Sequence, residues 1–403
     1  MKKIILYIFA GLVLFVSSCK KDVPIDTTRG AIVSQTFLGT FPTSTLTIML
    51  YAIEPGIASQ IKPKYDVELY KIVYQTISPD QKVTQASGLL VIPKGATNPL
   101  PLAAFFHGTM LQKNDVPSQI GANSTYEVGL IFATEGYAIV LPDYLGLGVN
   151  PGLHPYIHAA SEASASIDMM RAGRNFLNSK SISSNGQVFI MGYSQGGHVC
   201  MAVHKAIEQS YSNEFAITAS APMAGPYDLS GTQMDYILRD SAYAEPGFLP
   251  YALYGLNPIY NIFANVNNAF VAPYNTSLQP FFDGNGLYDL SNVDAILPAS
   301  QIPSAILTPQ IINDIKTNPN HPLRMALKDN DLYNWTPKAQ MHLYHCDCDV
   351  HVPIQNTYKA RDYFLQNGFT NFVVINPLPG GNHVTCALPS IMDAKKWFDS
   401  LKQ

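Results

Sequence analysis

Charge is what this sequence has least of. Of its 403 residues only 13% are Asp, Glu, Lys or Arg, against roughly 25% in an ordinary globular chain. The net charge is −4 and no basic run exceeds two residues. A surface built to neutralise phosphates is therefore excluded, and no nucleic-acid partner is expected. Internal repeats and low-complexity blocks are lacking, and beyond the N-terminus so is any long apolar run. Cysteines number only five, too few for a disulfide scaffold. Gly146-Leu147-Gly148 lacks the third glycine and the later acidic residue of a dinucleotide fingerprint, so no cofactor is expected. What remains is a chain 47% apolar, long enough for a large core and an insertion. Its polar surface must come from Ser, Thr, Asn, Gln and Tyr, a balance that suits an exported protein.

The N-terminus reads as a targeting segment. Lys2 and Lys3 precede an unbroken apolar stretch, Ile4 to Val16, too short for a comfortable permanent span. Val16-Ser17-Ser18-Cys19 resembles a bacterial lipobox. It predicts a signal peptide over 1–18, lipidation of Cys19 and a tether over 19–30. Several acyl chains on one residue would hold the protein on a membrane, where a single chain binds only marginally. The expected location is the cell envelope, on its periplasmic or its outer face.

Short β-type runs then alternate with helical stretches, the pattern of a mostly parallel sheet flanked by helices. Val67–Thr76 and Ala86–Ile92 predict an antiparallel hairpin. Buried strands are expected at Leu102–Phe106, Tyr137–Leu141, Val188–Met191 and Ala216–Ala221. A helix rich in Ala and Met over Ala159–Leu177 should turn Glu162, Asp168 and Arg171 to solvent. From 228 to 335 the alternation stops, which predicts a largely helical cap inserted into a core of 31–227 and 336–403. Phe248, Leu249, Tyr251, Tyr254, Phe263, Phe281 and Phe282 either line its underside or form its own small core. Strands at Met341–Tyr344 and Phe372–Ile375 and a helix from Ser390 to Leu401 restore the rhythm.

Gly192-Tyr193-Ser194-Gln195-Gly196 stands between a predicted strand and a predicted helix, where a nucleophile elbow requires it. The sharp turn lifts the serine hydroxyl above the sheet and leaves no room for side chains two positions either side. A serine hydroxyl is a weak nucleophile, so an imidazole must take its proton, oriented by a carboxylate. The order Ser, acid, His points to Asp349, in a loop after a strand, and to His383, after Gly380-Gly381-Asn382. Asp347 is the alternative acid. His107, His154, His158 and His198 fit less well by position, and His383 is expected on a glycine-rich, mobile loop. The backbone N–H groups of Gln195 and Thr109 are the expected oxyanion donors. Asp143 reads as a structural acid holding its own loop.

Phe106-His107-Gly108-Thr109, Pro142-Asp143-Tyr144-Leu145-Gly146-Leu147-Gly148, His154-Pro155-Tyr156 and the Ser194 elbow together resemble the secretory lipase branch of the α/β-hydrolases, which is similar to fungal lipase A. The resemblance runs from about Tyr65 to the end. It implies an α/β-hydrolase fold, hydrolysis of lipid or other acyl esters, and a cap holding the acyl chain. By the same pattern Ser194, Asp349 and His383 carry over as the triad, and Thr109 and Gln195 as the oxyanion hole. Cys346, where the pattern has glycine, is a departure.

His345, Cys346, Cys348 and His351 are too tightly spaced for a usual zinc site, so no metal is expected. In an oxidising compartment a bridge between Cys346 and Cys386 would tie the acid loop to the histidine loop. Cys348 is the rival partner, and Cys200 is expected to be buried and free. Three functions compete: a lipase or esterase acting on a small-molecule or lipid ester, a carbohydrate-deacylating esterase, and a peptidase of the same fold. A non-catalytic scaffold stands outside them.

Overall fold

The computed structural model describes residues 28–403; the signal-peptide segment, Cys19 and most of the tether lie outside it. Nine strands form one sheet: β1 (Ile32–Phe41), β2 (Val67–Ile77), β3 (Val83–Pro93), β4 (Leu100–Phe106), β5 (Ala138–Pro142), β6 (Ser184–Tyr193), β7 (Ile217–Met223), β8 (Met341–Tyr344) and β9 (Phe372–Ile375). Their order across the sheet is β1-β2-β3-β5-β4-β6-β7-β8-β9. The first three pair antiparallel with one another and with β5, whereas β5-β4-β6-β7-β8-β9 pair parallel. This is an α/β-hydrolase architecture.

The apolar runs follow from that topology. A parallel strand is covered on both faces, so β4 (LPLAAFF) and β5 (AIVLP) are buried throughout. Successive side chains still alternate between faces. Leu102, Ala104, Val188 and Ile190 join a core packed by the helices Ala159–Ser179 and Gln195–Ser210. Ala103, Phe105, Phe189 and Met191 face a second core, closed by the helices Tyr126–Ala133 and His383–Leu401.

Between β7 and β8 the chain leaves the sheet and builds short helices with a third core of their own. Tyr251, Tyr254 and Phe282 stack inside it, with Tyr254 and Phe282 rings 4.8 Å apart. Phe263 and Phe281 pack on its margin. Leu332 and Trp335, close to the return to β8, lie instead in the core under the sheet.

The helix Ala159–Ser179 departs from expectation. Glu162, Asp168 and Arg171 are buried, at 1%, 0% and 6% exposure, not turned to solvent. The small Ala side chains around them let β2, the helix Gln195–Ser210 and the segment after residue 28 pack closely, and each charge finds a partner there. Asp168 accepts from Arg29, Arg171 and Thr76, and Arg171 also donates to Glu214. Removing one member strands the others without solvent. Asp168→Ala is thus expected to destabilise the protein by about 3–5 kcal/mol, measured by urea denaturation against the parent chain.

Candidate active site

The strand β6 ends at Tyr193 and the helix Gln195–Ser210 begins two residues later. Ser194, between them, has φ 61° and ψ −122°, a region non-glycine residues rarely occupy. Two glycines make the bend sterically feasible. A Cβ on Gly192 would stand 2.1 Å from the Gly196 carbonyl oxygen, and one on Gly196 would stand 1.9 Å from the Phe106 carbonyl oxygen. Neither backbone can move aside. The Ser194 N–H donates to the Met223 carbonyl at 2.9 Å, tying the bend to β7.

The structure brings the three expected side chains together. His383 Nε2 lies 2.9 Å from Ser194 Oγ, and His383 Nδ1 lies 2.6 Å from Asp349 Oδ2. The other Asp349 oxygen accepts backbone N–H bonds from His351 and Val352, both at 2.9 Å. Asp347 sits outside this set, exposed, accepting from the Gly380 N–H. His383 is not on a mobile loop. It is the first residue of a helix that runs from His383 to Leu401, with Pro389 in its interior. Asn382 caps that helix by accepting from the Val384 and Thr385 N–H groups, with the Thr385 side chain bonding back. The imidazole is further held between the rings of Tyr193 and His351, at 5.1 and 4.7 Å.

His345 is a partner the sequence did not reveal. Its Nε2 lies 3.3 Å from Asp349 Oδ2 and 2.9 Å from the Val352 carbonyl, and Thr357 bonds its other nitrogen. Burial would raise the Asp349 carboxyl, but hydrogen bonds from His345 and His383 outweigh it and hold it well below its ordinary value. Asp349 is therefore an anion at working pH, able to fix the His383 tautomer.

Gly108 runs alongside Ser194: a Cβ there would lie 3.6 Å from Ser194 Cβ. The next residue is Thr109. Among the described residues, the backbone N–H groups of Thr109 and Gln195 donate to no protein acceptor; for Gln195, at the first helical position, none exists within the helix. Beneath the elbow lies a buried polar chain. Glu162 accepts from Gln195 Nε2 at 2.7 Å and contacts His198 Nδ1 at 2.9 Å, while Gln195 Nε2 also bonds His154 Nε2 at 2.6 Å. Burial opposes the Glu162 charge, yet His198 and its neighbours hold the carboxyl below its ordinary value. Asp143 accepts from Ser87 Oγ and from both the N–H and Oγ of Ser118, which pins its loop. His107 is buried and stacked on Tyr144, and desolvation lowers it to about 4.

A narrow apolar cleft opens from Ser194 between Tyr156, Leu229, Ile237, Phe248, Ala252 and Val352. Sharing several of those walls, a second cleft continues among Leu249, Leu253, Ile315, Leu323 and Leu327 of the inserted segment. Phe248 and Leu249 thus line the cavity, whereas Tyr251, Tyr254 and Phe282 belong mainly to the insertion's own core.

Cys346 and Cys386 are bonded to each other, with Cα atoms 5.9 Å apart; Cys200 is buried and free, and Cys348 is exposed and free. The bridge joins the acid loop to the helix that starts at His383. Among the described residues no group of three His, Cys, Asp or Glu could hold a metal ion. Closing a loop of 40 residues constrains the unfolded chain by about 4 kcal/mol. Replacing both Cys346 and Cys386 with Ala is expected to lower stability by about 2–4 kcal/mol in thermal or urea unfolding, with hydrolytic activity lost at a lower temperature than in the parent.

The family model for secretory lipases matches residues 116–401. Among solved structures the chain is similar to the rice cell wall degrading esterase LipA from Xanthomonas oryzae, at 31% identity and TM-score 0.79 over 92% of this chain and 96% of that one. It is also similar to a putative hydrolase from Legionella pneumophila, at 27% identity and TM-score 0.83 over 92% and 98%. Candida antarctica lipase A shares the fold at 17% identity and TM-score 0.67, over 93% and 83%. No curated protein sequence matches the chain. With the family model spanning most of its length, this chain belongs to the secretory lipase family and is a carboxylic ester hydrolase.

Proposed function

We propose that this protein cleaves esters of apolar acyl groups through an acyl-enzyme on Ser194. The observation that carries this reading is the pair of contacts at 2.9 and 2.6 Å linking Ser194, His383 and Asp349 at the mouth of an apolar cavity. In the first step His383 Nε2 takes the Ser194 proton as Oγ attacks the ester carbonyl. The Asp349 anion stabilises the resulting imidazolium without itself being protonated. Negative charge on the tetrahedral oxygen is met by the Thr109 and Gln195 N–H groups, which need no reorganisation. His383 then gives its proton to the leaving alcohol. Water, deprotonated by the same imidazole, releases the acyl group and restores Ser194. The acyl chain occupies the cavity under the cap, residues 228–335, whose walls offer it little but hydrocarbon.

A second reading, removal of acyl groups from carbohydrate, is supported by the likeness to LipA, a cell wall degrading esterase. It uses the same triad and differs only in the alcohol released. A peptidase is less well supported, since the cavity beside Ser194 has no charged wall to fix a charged side chain.

Cleavage after Ser18 and lipidation of Cys19 would place the enzyme on a membrane of the cell envelope, with residues up to about 30 as its tether. Arg29 is pinned to Asp168, Ser164 and Tyr211, so the tether would leave the body beside the helix Ala159–Ser179.

Ser194→Ala is expected to lower kcat by at least about 10⁴-fold on a chain-length series of nitrophenyl esters. Faster turnover of peptide nitroanilides than of every ester would overturn the ester reading. Fractionation tests the anchor: Cys19→Ala should move the protein from the membrane to the soluble fraction and abolish incorporation of labelled fatty acid.

A further inference from the structure

Two hydroxyls meet beside the nucleophile. Thr109 Oγ1 and Tyr156 OH are 2.9 Å apart. Tyr156 is 6% exposed and lines the same cavity as Ser194, while Thr109 follows directly on Gly108, which passes alongside Ser194 Cβ. The pair holds two protons, and the bond between them uses one. Among the described residues neither oxygen has a further hydrogen-bond partner. One O–H is thus left without a protein acceptor beside the bend, where Gly108 passes Ser194. The acceptor that arises here during acyl transfer is the negative oxygen of the tetrahedral intermediate.

We propose that the Thr109 hydroxyl is a third donor of the oxyanion hole, and that Tyr156 is the positioning residue that aims it. The phenol is the more acidic of the two hydroxyls, so Tyr156 donates to Thr109 Oγ1 and leaves the Thr109 proton free. Backbone N–H and side-chain O–H of one residue then converge on the same oxygen. Tyr156 is itself held rigidly. Its ring stacks on Tyr251 at 4.3 Å with planes 2° apart, and the Tyr251 hydroxyl donates to the Met110 carbonyl at 2.8 Å. Adjacent residues of the oxyanion loop are thereby gripped by two stacked tyrosines, one of them on the cap helix Phe248–Tyr260. Nothing in the sequence pattern pointed to this, because the partner is 47 residues away.

The inference rests on the acyl-enzyme reading, and the kinetics of the parent and four variants on one short nitrophenyl ester separate the two. Thr109→Val keeps the shape and the backbone N–H but removes the hydroxyl. It is expected to lower kcat by about 10- to 100-fold with KM changed less than about twofold. Thr109→Ser should restore most of the loss. Tyr156→Phe, which leaves the Thr109 hydroxyl present but unaimed, should fall between, at about 5- to 10-fold. Thermal unfolding of each variant reports whether it folds; should Thr109→Val not fold, Tyr156→Phe decides. A wild-type kcat in Thr109→Val, a loss confined to KM, or a Thr109→Ser variant as slow as Thr109→Val would overturn the third donor while Ser194→Ala remained inactive. Retained activity in Ser194→Ala would instead sink the acyl-enzyme reading itself.

Discussion

The Ser194 backbone is locked at a positive φ by contacts that leave no space for a side chain at Gly192 or Gly196. Such a conformation costs on the order of 1–3 kcal/mol and persists only because its surroundings over-determine it. Here they are strand and helix backbone: the end of β4 on one side, β7 on the other and the helix Gln195–Ser210 above. A hydroxyl on that bend points away from the sheet into a region that no strand occupies. In the proposed mechanism the reacting groups are arranged around that one fixed oxygen.

The parallel strands supply the arrangement. Loops leaving the carboxyl ends of neighbouring parallel strands gather at one edge of the sheet, and four of them, after β4, β6, β8 and β9, carry Thr109, Ser194, Asp349 and His383. Each loop is fixed by a different device. Asp143 and the two tyrosines restrain the first, glycine packing the second, and backbone N–H bonds to Asp349 together with His345 the third. The fourth is hardly a loop at all, since the Asn382 cap starts a helix at His383. One covalent bond, Cys346–Cys386, then ties the loop bearing Asp349 to the helix that begins at His383. Rigidity of this kind is what lets preorganised donors act without paying a reorganisation cost at the moment of reaction.

Much of this was legible in the sequence because its signals are local. The bend needs glycines at fixed offsets, buried strands read as apolar runs, and the Asp349 and His383 that meet Ser194 follow it in chain order. What escaped was what depends on distant partners. Glu162, Asp168 and Arg171 look like solvent charges on an Ala-rich helix, since nothing nearby announces His198, Arg29 or Glu214. The final helix starts at His383, at the Asn382–Thr385 capping box, and not at Ser390, because Pro389 is accommodated in its interior. His345 reads by spacing as part of a cysteine–histidine cluster, and nothing local ties it to Asp349. The cap aromatics stayed ambiguous for a physical reason: a lining residue and a core residue have the same composition, and only packing separates Phe248 from Tyr254.

Hydrolysis at this site requires the imidazole to activate the hydroxyl at the bend. Mass mapping of a fluorophosphonate adduct on the native, disulfide-intact protein tests this directly. A single adduct on the peptide bearing Ser194, abolished in His383→Ala, is the predicted result. An adduct on a different serine, none at all, or undiminished labelling without His383 would contradict it.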